Sequence, residues 1–255
     1  MTGEVGELLA GLEVGPDETA DTALGGAVPV IQPRKGYRFS VDSILLARFA
    51  AEKTADRAVD LGCGCGVVAL CLLRLGAARE AVGVDIQEDM VDRARRAAAR
   101  SAWAARASFV CGDLRQPSGR FEPGEFDLAL SNPPYRPLPS GRLSPNPGLA
   151  VSRHEVACTL GDLAGAAAYL LVPGGNLCVV YPAARIAVLL AECRSRGLEP
   201  KVLRLVHPTE DSAASLALVR CVKGGGEGLD VSPPLILHAP GARYSREAER
   251  LLGMP

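Results

Sequence analysis

From residue 58 onward, short apolar runs alternate with longer segments whose apolar positions recur every three or four residues. Ala58–Leu61, Ala81–Val84, Ala107–Val110, Phe126–Leu130 and Asn176–Val180 read as strands. The segments from about Val67 to Leu75, Glu88 through Ala105, Leu163 to Leu171 and Arg185 to Arg196 read as helices. Alternation of this kind predicts a doubly wound α/β protein with a mostly parallel sheet covered on both faces. Val202–Val206 and Ser215–Val222 predict a closing hairpin, which a mixed sheet accommodates at its edge. Upstream, residues 24–31 read as a short extended stretch after Gly25-Gly26, and Gln32–Phe39 as a polar, basic loop. Ser40-Val41-Asp42 offers N-cap candidates for a helix carrying Ile44, Leu45, Leu46, Phe49 and Ala50. With no internal repeat and no long linker, the pattern predicts one domain over residues 17–255, preceded by a flexible acidic tail over 1–16.

Composition narrows the class. The 255 residues are 48% hydrophobic and 22% charged, an ordinary globular balance that excludes wholesale disorder. No apolar run reaches the roughly 18 residues a membrane helix needs, and the acidic N-terminus argues against a leader peptide. The expectation is a cytoplasmic protein without membrane attachment. The formal net charge of −1 argues against an indiscriminate nucleic-acid binder, but it hides an asymmetry. Residues 1–28 hold six acids and no Lys or Arg, so from residue 29 onward 28 basic residues face 23 acidic ones, a net +5. The eight cysteines (63, 65, 71, 111, 158, 178, 193 and 221) show no C-x-x-C spacing and only three histidines accompany them, so buried reduced thiols are expected and no metal site.

Four elements carry candidate chemistry. Asp60-Leu61-Gly62-Cys63-Gly64-Cys65-Gly66 lies between a predicted strand and helix, where glycines permit a tight turn and close ligand approach to the backbone. Val67 takes the place of the last glycine of the dinucleotide fingerprint, which counts against a dehydrogenase. Asp85 ends the next strand, 23 residues after Gly62, where a carboxylate meets ribose hydroxyls, and Ile86 beside it suits packing against an adenine face. Asp113, in Cys111-Gly112-Asp113-Leu114, follows the third strand and suits an exocyclic amine. Ser131-Asn132-Pro133-Pro134-Tyr135 follows the fourth. Delocalisation makes an aromatic-amine or amide nitrogen a poor nucleophile. Acceptors aimed at its hydrogens, here the Asn132 side-chain oxygen and the Pro133 carbonyl, draw it toward tetrahedral geometry. Prolines 133 and 134 stiffen the turn, and Tyr135 offers a stacking face. Such a transfer requires no enzymatic base, since the proton leaves afterwards to solvent.

The chain resembles the amino-methyltransferases with the N-P-P-Y signature, and more narrowly the bacterial tRNA1(Val) (adenine(37)-N6)-methyltransferase family, over roughly residues 17–250. The narrower resemblance rests on Gln32, on Gly36-Tyr37-Arg38-Phe39-Ser40-Val41-Asp42-Ser43-Ile44-Leu45-Leu46, on Arg153-His154-Glu155 and on Pro233-Pro234-Leu235-Ile236-Leu237. It implies a Rossmann-like class I methyltransferase fold with a seven-stranded sheet and a short N-terminal extension, S-adenosylmethionine as cofactor and tRNA as substrate. It implies Asn132, Pro133, Pro134 and Tyr135 as the catalytic turn. The implied cofactor-binding set is Arg38, Ser40, Asp60, Gly62, Cys63, Gly64, Asp85, Ile86, Asp113, Leu114 and Asn132, with Arg38 and Ser40 bordering the methionyl end.

Two other readings remain open from sequence. A protein glutamine-amide methyltransferase shares the N-P-P-Y turn but usually carries a helical N-terminal domain, for which residues 1–40 are too short. A non-catalytic cofactor- or RNA-binding module leaves the intact signature unexplained. Residues 136–153, rich in Pro, Gly and Ser with three arginines, read either as an acceptor-binding loop or as a solvated one. Arg93, Arg96 and Arg100 share a helix face that reads as solvated rather than as an RNA track.

Overall fold

The computed structural model describes residues 2–36, 38–133 and 158–254. Its centre is a sheet of eight strands: β3 (Ala55–Leu61), β4 (Ala78–Asp85), β5 (Ala107–Cys111), β6 (Phe126–Ser131), β7 (Leu171–Pro182), β8 (Leu198–His207), β9 (Leu216–Lys223) and β10 (Asp230–Ile236). Their spatial order is β10-β8-β9-β7-β6-β3-β4-β5. Only β9 runs against its neighbours, so the expected terminal hairpin is β8–β9, inserted with β9 between β7 and β8. The eighth strand corrects the expected seven. β10 pairs in parallel with β8 at the sheet edge, through a register shift between Ser232 and Leu235 that accommodates Pro233 and Pro234. Proline lacks the donor an interior strand needs, so a Pro-Pro strand survives only at an edge.

Residues 24–31 are not a simple extended stretch. They lie in a separate antiparallel hairpin, β1 (Glu18–Ala23) and β2 (Val28–Pro33), joined through Leu24, Gly25, Gly26 and Ala27. A short helix, α1 (Thr2–Leu9), precedes it within the segment read as a tail. On one face of the large sheet lie α2 (Val41–Ala50), α3 (Val67–Arg74), α4 (Glu88–Ala99) and α7 (Arg246–Leu252), sharing an apolar cluster with the hairpin. The other face is covered by α5 (Leu160–Leu170) and α6 (Ile186–Ser195). α4 stops at Ala99, six residues short of the expected end, and Arg100 caps it. α5 begins one turn early because Thr159 and Asp162 form a reciprocal capping box.

At Arg93 and Arg96 the arginine face of α4 is not freely solvated. Glu18 of β1 takes Arg93 Nε at 2.8 Å and Arg96 Nη2 at 2.7 Å on one oxygen, and Arg96 Nη1 at 2.9 Å with the Gly15 amide at 2.8 Å on the other. Asp89 and Asp92, one turn earlier on α4, hold the same two arginines from behind. A buried carboxylate survives only when its lone pairs are satisfied in this way. Hydrogen bonding from Arg96 outweighs the burial penalty and holds Glu18 at about 2, from an ordinary 4.5.

Because this folded-state value lies below the unfolded one, the stabilisation is complete above pH 4.5 and is lost as pH falls toward 2. At neutral pH it amounts to about 3 kcal/mol. Glu18→Gln is expected to lower unfolding free energy in urea by about that amount at pH 7. The gap from wild type should close between pH 4.5 and 2; a pH-independent gap would contradict the assignment.

Candidate active site

The chain runs β3, β4, β5 outward in one direction and then returns to place β6 on the other side of β3. That reversal opens a crevice at the carboxyl ends of β3 and β6, the place where doubly wound sheets bind ligands. Asp60 of β3 lies opposite Leu130 of β6, so the glycine loop after Leu61 and the turn after Ser131 emerge side by side.

The loop's three glycines have different tasks. Gly62, Gly64 and Gly66 all have positive φ (76°, 52° and 77°). A Cβ on Gly62 or Gly64 would meet nothing within 4 Å, whereas one on Gly66 would lie 2.6 Å from the Phe109 ring and 2.9 Å from Ala94. Gly66 is therefore a packing residue at the start of α3, while the other two present bare backbone to open space. The amides of Gly62 and Cys63 both donate to the Val84 carbonyl, at 2.8 and 3.0 Å. Cys63 turns its thiol inward against Gly83, so it offers the crevice only its backbone. Burial pushes that thiol well above its ordinary value.

Asp85 closes β4 and reaches back to the loop: Oδ2 accepts from the Gly64 amide at 2.8 Å and Oδ1 from the Gln87 amide at 2.9 Å. It is not the cap of α4, which starts at Glu88. Ile86 beside it is 38% exposed, an uncommon state for a large apolar side chain in this protein. Asp113 is half-buried and paired bidentately with Arg115, which lowers its carboxyl below the ordinary value. Leu114 packs partly against the core and, with Leu61, Val84, Asp113, Phe121 and Leu170, lines a cleft beside it. Asp60 is 1% exposed and its Oδ2 has no hydrogen-bond partner. Burial pushes this carboxyl up to about 7; the Ala69 amide opposes the rise and nearby Asp85 adds to it.

Arg38 and Ser40 lie on the segment entering α2. Arg38 is bound to the N-terminal hairpin rather than to the other site residues: it pairs with Asp21 at 3.0 Å and donates to Thr19 Oγ1 and the Pro33 carbonyl, each at 2.9 Å. Gln32 donates to the same Asp21 oxygen and accepts from the Phe39 amide, fixing the segment's course. Ser40 precedes the first turn of α2 and its side chain makes no capping bond. Asn132 and Pro133 are half-buried at the end of β6. Pro134 and Tyr135 lie outside the described residues, as do Tyr37, Arg153-His154-Glu155 and the loop 136–153.

Two serines with no assigned role join these parts. Ser131 Oγ donates to the Leu61 carbonyl at 2.7 Å, fastening the turn to the glycine loop, and Asn132 Nδ2 donates to Ser43 Oγ of α2 at 3.0 Å. Ser131 adjoins the signature; Ser43 sits in an apolar helical run that gives no hint of a polar task. Among the described residues no group of three or more His, Cys, Asp or Glu is placed to hold a metal ion, and no helix is long and apolar enough to cross a membrane.

A sheet with this strand order and one reversed strand beside β7, opening at this crevice, is that of the Rossmann-like class I methyltransferases. A family model for the methyltransferase domain matches residues 58–140. A protein of Agrobacterium tumefaciens described as a predicted O-methyltransferase superposes with a TM-score of 0.66 at 25% identity, covering 82% of this chain and 94% of its own. The tRNA1(Val) (adenine(37)-N6)-methyltransferase of Tolumonas auensis is 30% identical over 167 residues, 65% of this chain and 68% of the relative. That of Aeromonas hydrophila is 27% identical over 215 residues, 83% and 87%. The chain belongs to the tRNA1(Val) (adenine(37)-N6)-methyltransferase family.

The packing role of the glycines is open to a direct check. Gly83 has no positive φ, yet a Cβ there would lie 2.4 Å from Phe109. Gly83→Ala should therefore destabilise by about 1–3 kcal/mol in chemical denaturation through overpacking alone. Adding Phe109→Leu should recover part of that loss; no recovery would remove the ring from the explanation.

Proposed function

We propose that the protein methylates the exocyclic N6 amine of an adenine in tRNA, with adenine 37 of tRNA1(Val), the target its relatives are named for, as the substrate. The observation that carries this reading is the fastening of Asn132 beside the glycine loop at the switch point of the sheet. The crevice suits S-adenosylmethionine on two grounds. Open space above Gly62 and Gly64 leaves a cradle that side chains would have filled, and Asp60 carries an orphaned, buried oxygen. A buried acceptor without a partner is costly and calls for a ligand or water.

When bound, this cofactor supplies an electrophilic methyl group. Asp60, Gly62, the Cys63 backbone and Gly64 hold its methionyl part, with Arg38 and Ser40 at the border. Asp85 accepts from ribose hydroxyls with the lone pairs its two backbone donors leave over. Ile86, Asp113 and Leu114 receive the adenine; for Asp113 this competes with Arg115. On the acceptor side, Asn132 Oδ1 and the Pro133 carbonyl take the two hydrogens of the target amine and localise the nitrogen lone pair. The sequence signature assigns Pro134 and Tyr135 to the same acceptor side. Both acceptors are neutral, and the Asn132 amide is already fastened to Ser43, which limits reorganisation as charge develops.

The test is incubation with methyl-labelled cofactor and total tRNA lacking the modification, followed by nucleoside analysis. Label in N6-methyladenosine is expected, and label only in protein would instead identify an amide methyltransferase. Asn132→Ala should lower kcat by roughly 100-fold or more, by analogy with loss of one preorganised polar group elsewhere. Its cofactor affinity should stay within about threefold. Asp85→Asn should weaken cofactor binding by about tenfold or more in calorimetry, the worth of a hydrogen bond to a charged group. Unchanged affinity would remove Asp85 from the site.

A further inference from the structure

We infer that Ser43 is a positioning residue for methyl transfer: its buried hydroxyl sets the orientation of the Asn132 amide. This rests on the reading of Asn132 as an acceptor for the target amine. Ser43 is 2% exposed within the run Ser43-Ile44-Leu45-Leu46-Ala47, every member of which is buried. A hydroxyl in such surroundings is costly unless it is hydrogen-bonded, and the bond observed is the one from Asn132 Nδ2 at 3.0 Å.

The consequence follows from the shape of an amide. The terminal torsion of asparagine is broad, so the side chain does not set its own orientation. Oxygen and nitrogen lie in the amide plane on opposite sides of the Cβ–Cγ axis, and fastening Nδ2 to α2 turns Oδ1 away from the Ser43 hydroxyl. Ser131 fixes the main chain at the base of the turn through the Leu61 carbonyl, and Ser43 fixes the side chain. α2 is a firm platform for this. Arg48 on α2 donates to the Leu251 carbonyl at 2.7 Å, and the guanidinium of Arg220 lies 5.4 Å from the Phe49 ring centroid. A reactive group held by a rigid element through a supporting hydrogen bond keeps its geometry through turnover.

Ser43→Ala removes the bond without adding volume. It should lower kcat about tenfold, the worth of one hydrogen bond, while KM for cofactor and for tRNA stays within twofold and the melting temperature changes little. In an Asn132→Ala background the same substitution should have no further effect, because its effect passes through the amide. Ser43→Thr, which keeps the hydroxyl, should retain kcat within about threefold. The Asn132 side-chain NH2 resonances, assigned by their loss in Asn132→Ala, should shift in Ser43→Ala and stay near their wild-type positions in Ser43→Thr. A Ser43→Ala enzyme with kcat within twofold of wild type, a loss additive with Asn132→Ala, or unmoved amide resonances would overturn the inference. If the wild-type protein labels no tRNA, the acceptor reading fails by itself, and the resonances still decide whether Ser43 orients the amide.

Discussion

The ring of Phe109 occupies the space where a side chain at either 66 or 83 would have to be. This constraint comes from the core, and the crevice inherits it. Because β4 passes under the ring at Gly83, Asp85 emerges two residues later within reach of the loop, where it takes the Gly64 amide. Because α3 starts over the ring at Gly66, the loop must turn within Gly62–Cys65, and it does so by pressing two amides onto one carbonyl of Val84. Close packing at a protein's centre tolerates little change in volume. The exposed glycines therefore stand on a foundation that their own positive φ does not provide. Gly62 and Gly64 are open to a ligand because Gly66 and Gly83 are closed by an aromatic ring.

The N-terminal segment is fastened to the rest of the protein for an electrostatic reason. Glu18 pairs with both Arg93 and Arg96 of α4, which seats the β1–β2 hairpin on the main domain. The hairpin in turn holds the approach to α2 through Asp21, Gln32 and Arg38. Charge arithmetic alone gives the body a surplus of basic residues, but Arg93 and Arg96 are spent on an intramolecular clamp. Among the described residues, Arg34 and Lys35, between the hairpin and α2, and Arg120, beyond β5, are exposed.

The central strands, the glycine turn and the acid ending β4 were legible because their periodicity and spacing arise from local chemistry. The parts that were not legible are those whose determinants are long-range. β1, Glu-Thr-Ala-Asp-Thr-Ala, has almost no apolar content and becomes a strand because β2 pairs with it and Glu18 is claimed by α4. β10 contains two adjacent prolines, the usual sign against a strand, and is permitted only by its place at the edge. The end of α4 is not legible because alanines and arginines continue beyond Ala99 with good helical propensity, while Ser101 donates back to the Ala98 carbonyl and turns the chain. Ser43 lies in a segment that carries the family resemblance, but nothing there points to its partner, which is 89 residues away in sequence.

The same contrast bears on how the proposed chemistry is supported. The residues that would touch cofactor or substrate sit on loops, where backbone freedom is greatest, and the structure removes that freedom with short bonds to regular elements. Val84 and Asp85 of β4 hold the glycine loop, Leu61 of β3 holds the base of the Asn132 turn, and α2 holds its side chain. Each tether crosses from one element to another, so none is removed by a motion confined to a single loop. Neutral acceptors gain little from field strength and depend on being aimed, because hydrogen bonds weaken steeply away from linearity. A neutral amide at the end of β6 is therefore effective only in a site whose surroundings are stiffer than the loop that carries it. Three neighbouring strands and a helix, converging on one crevice, provide that stiffness.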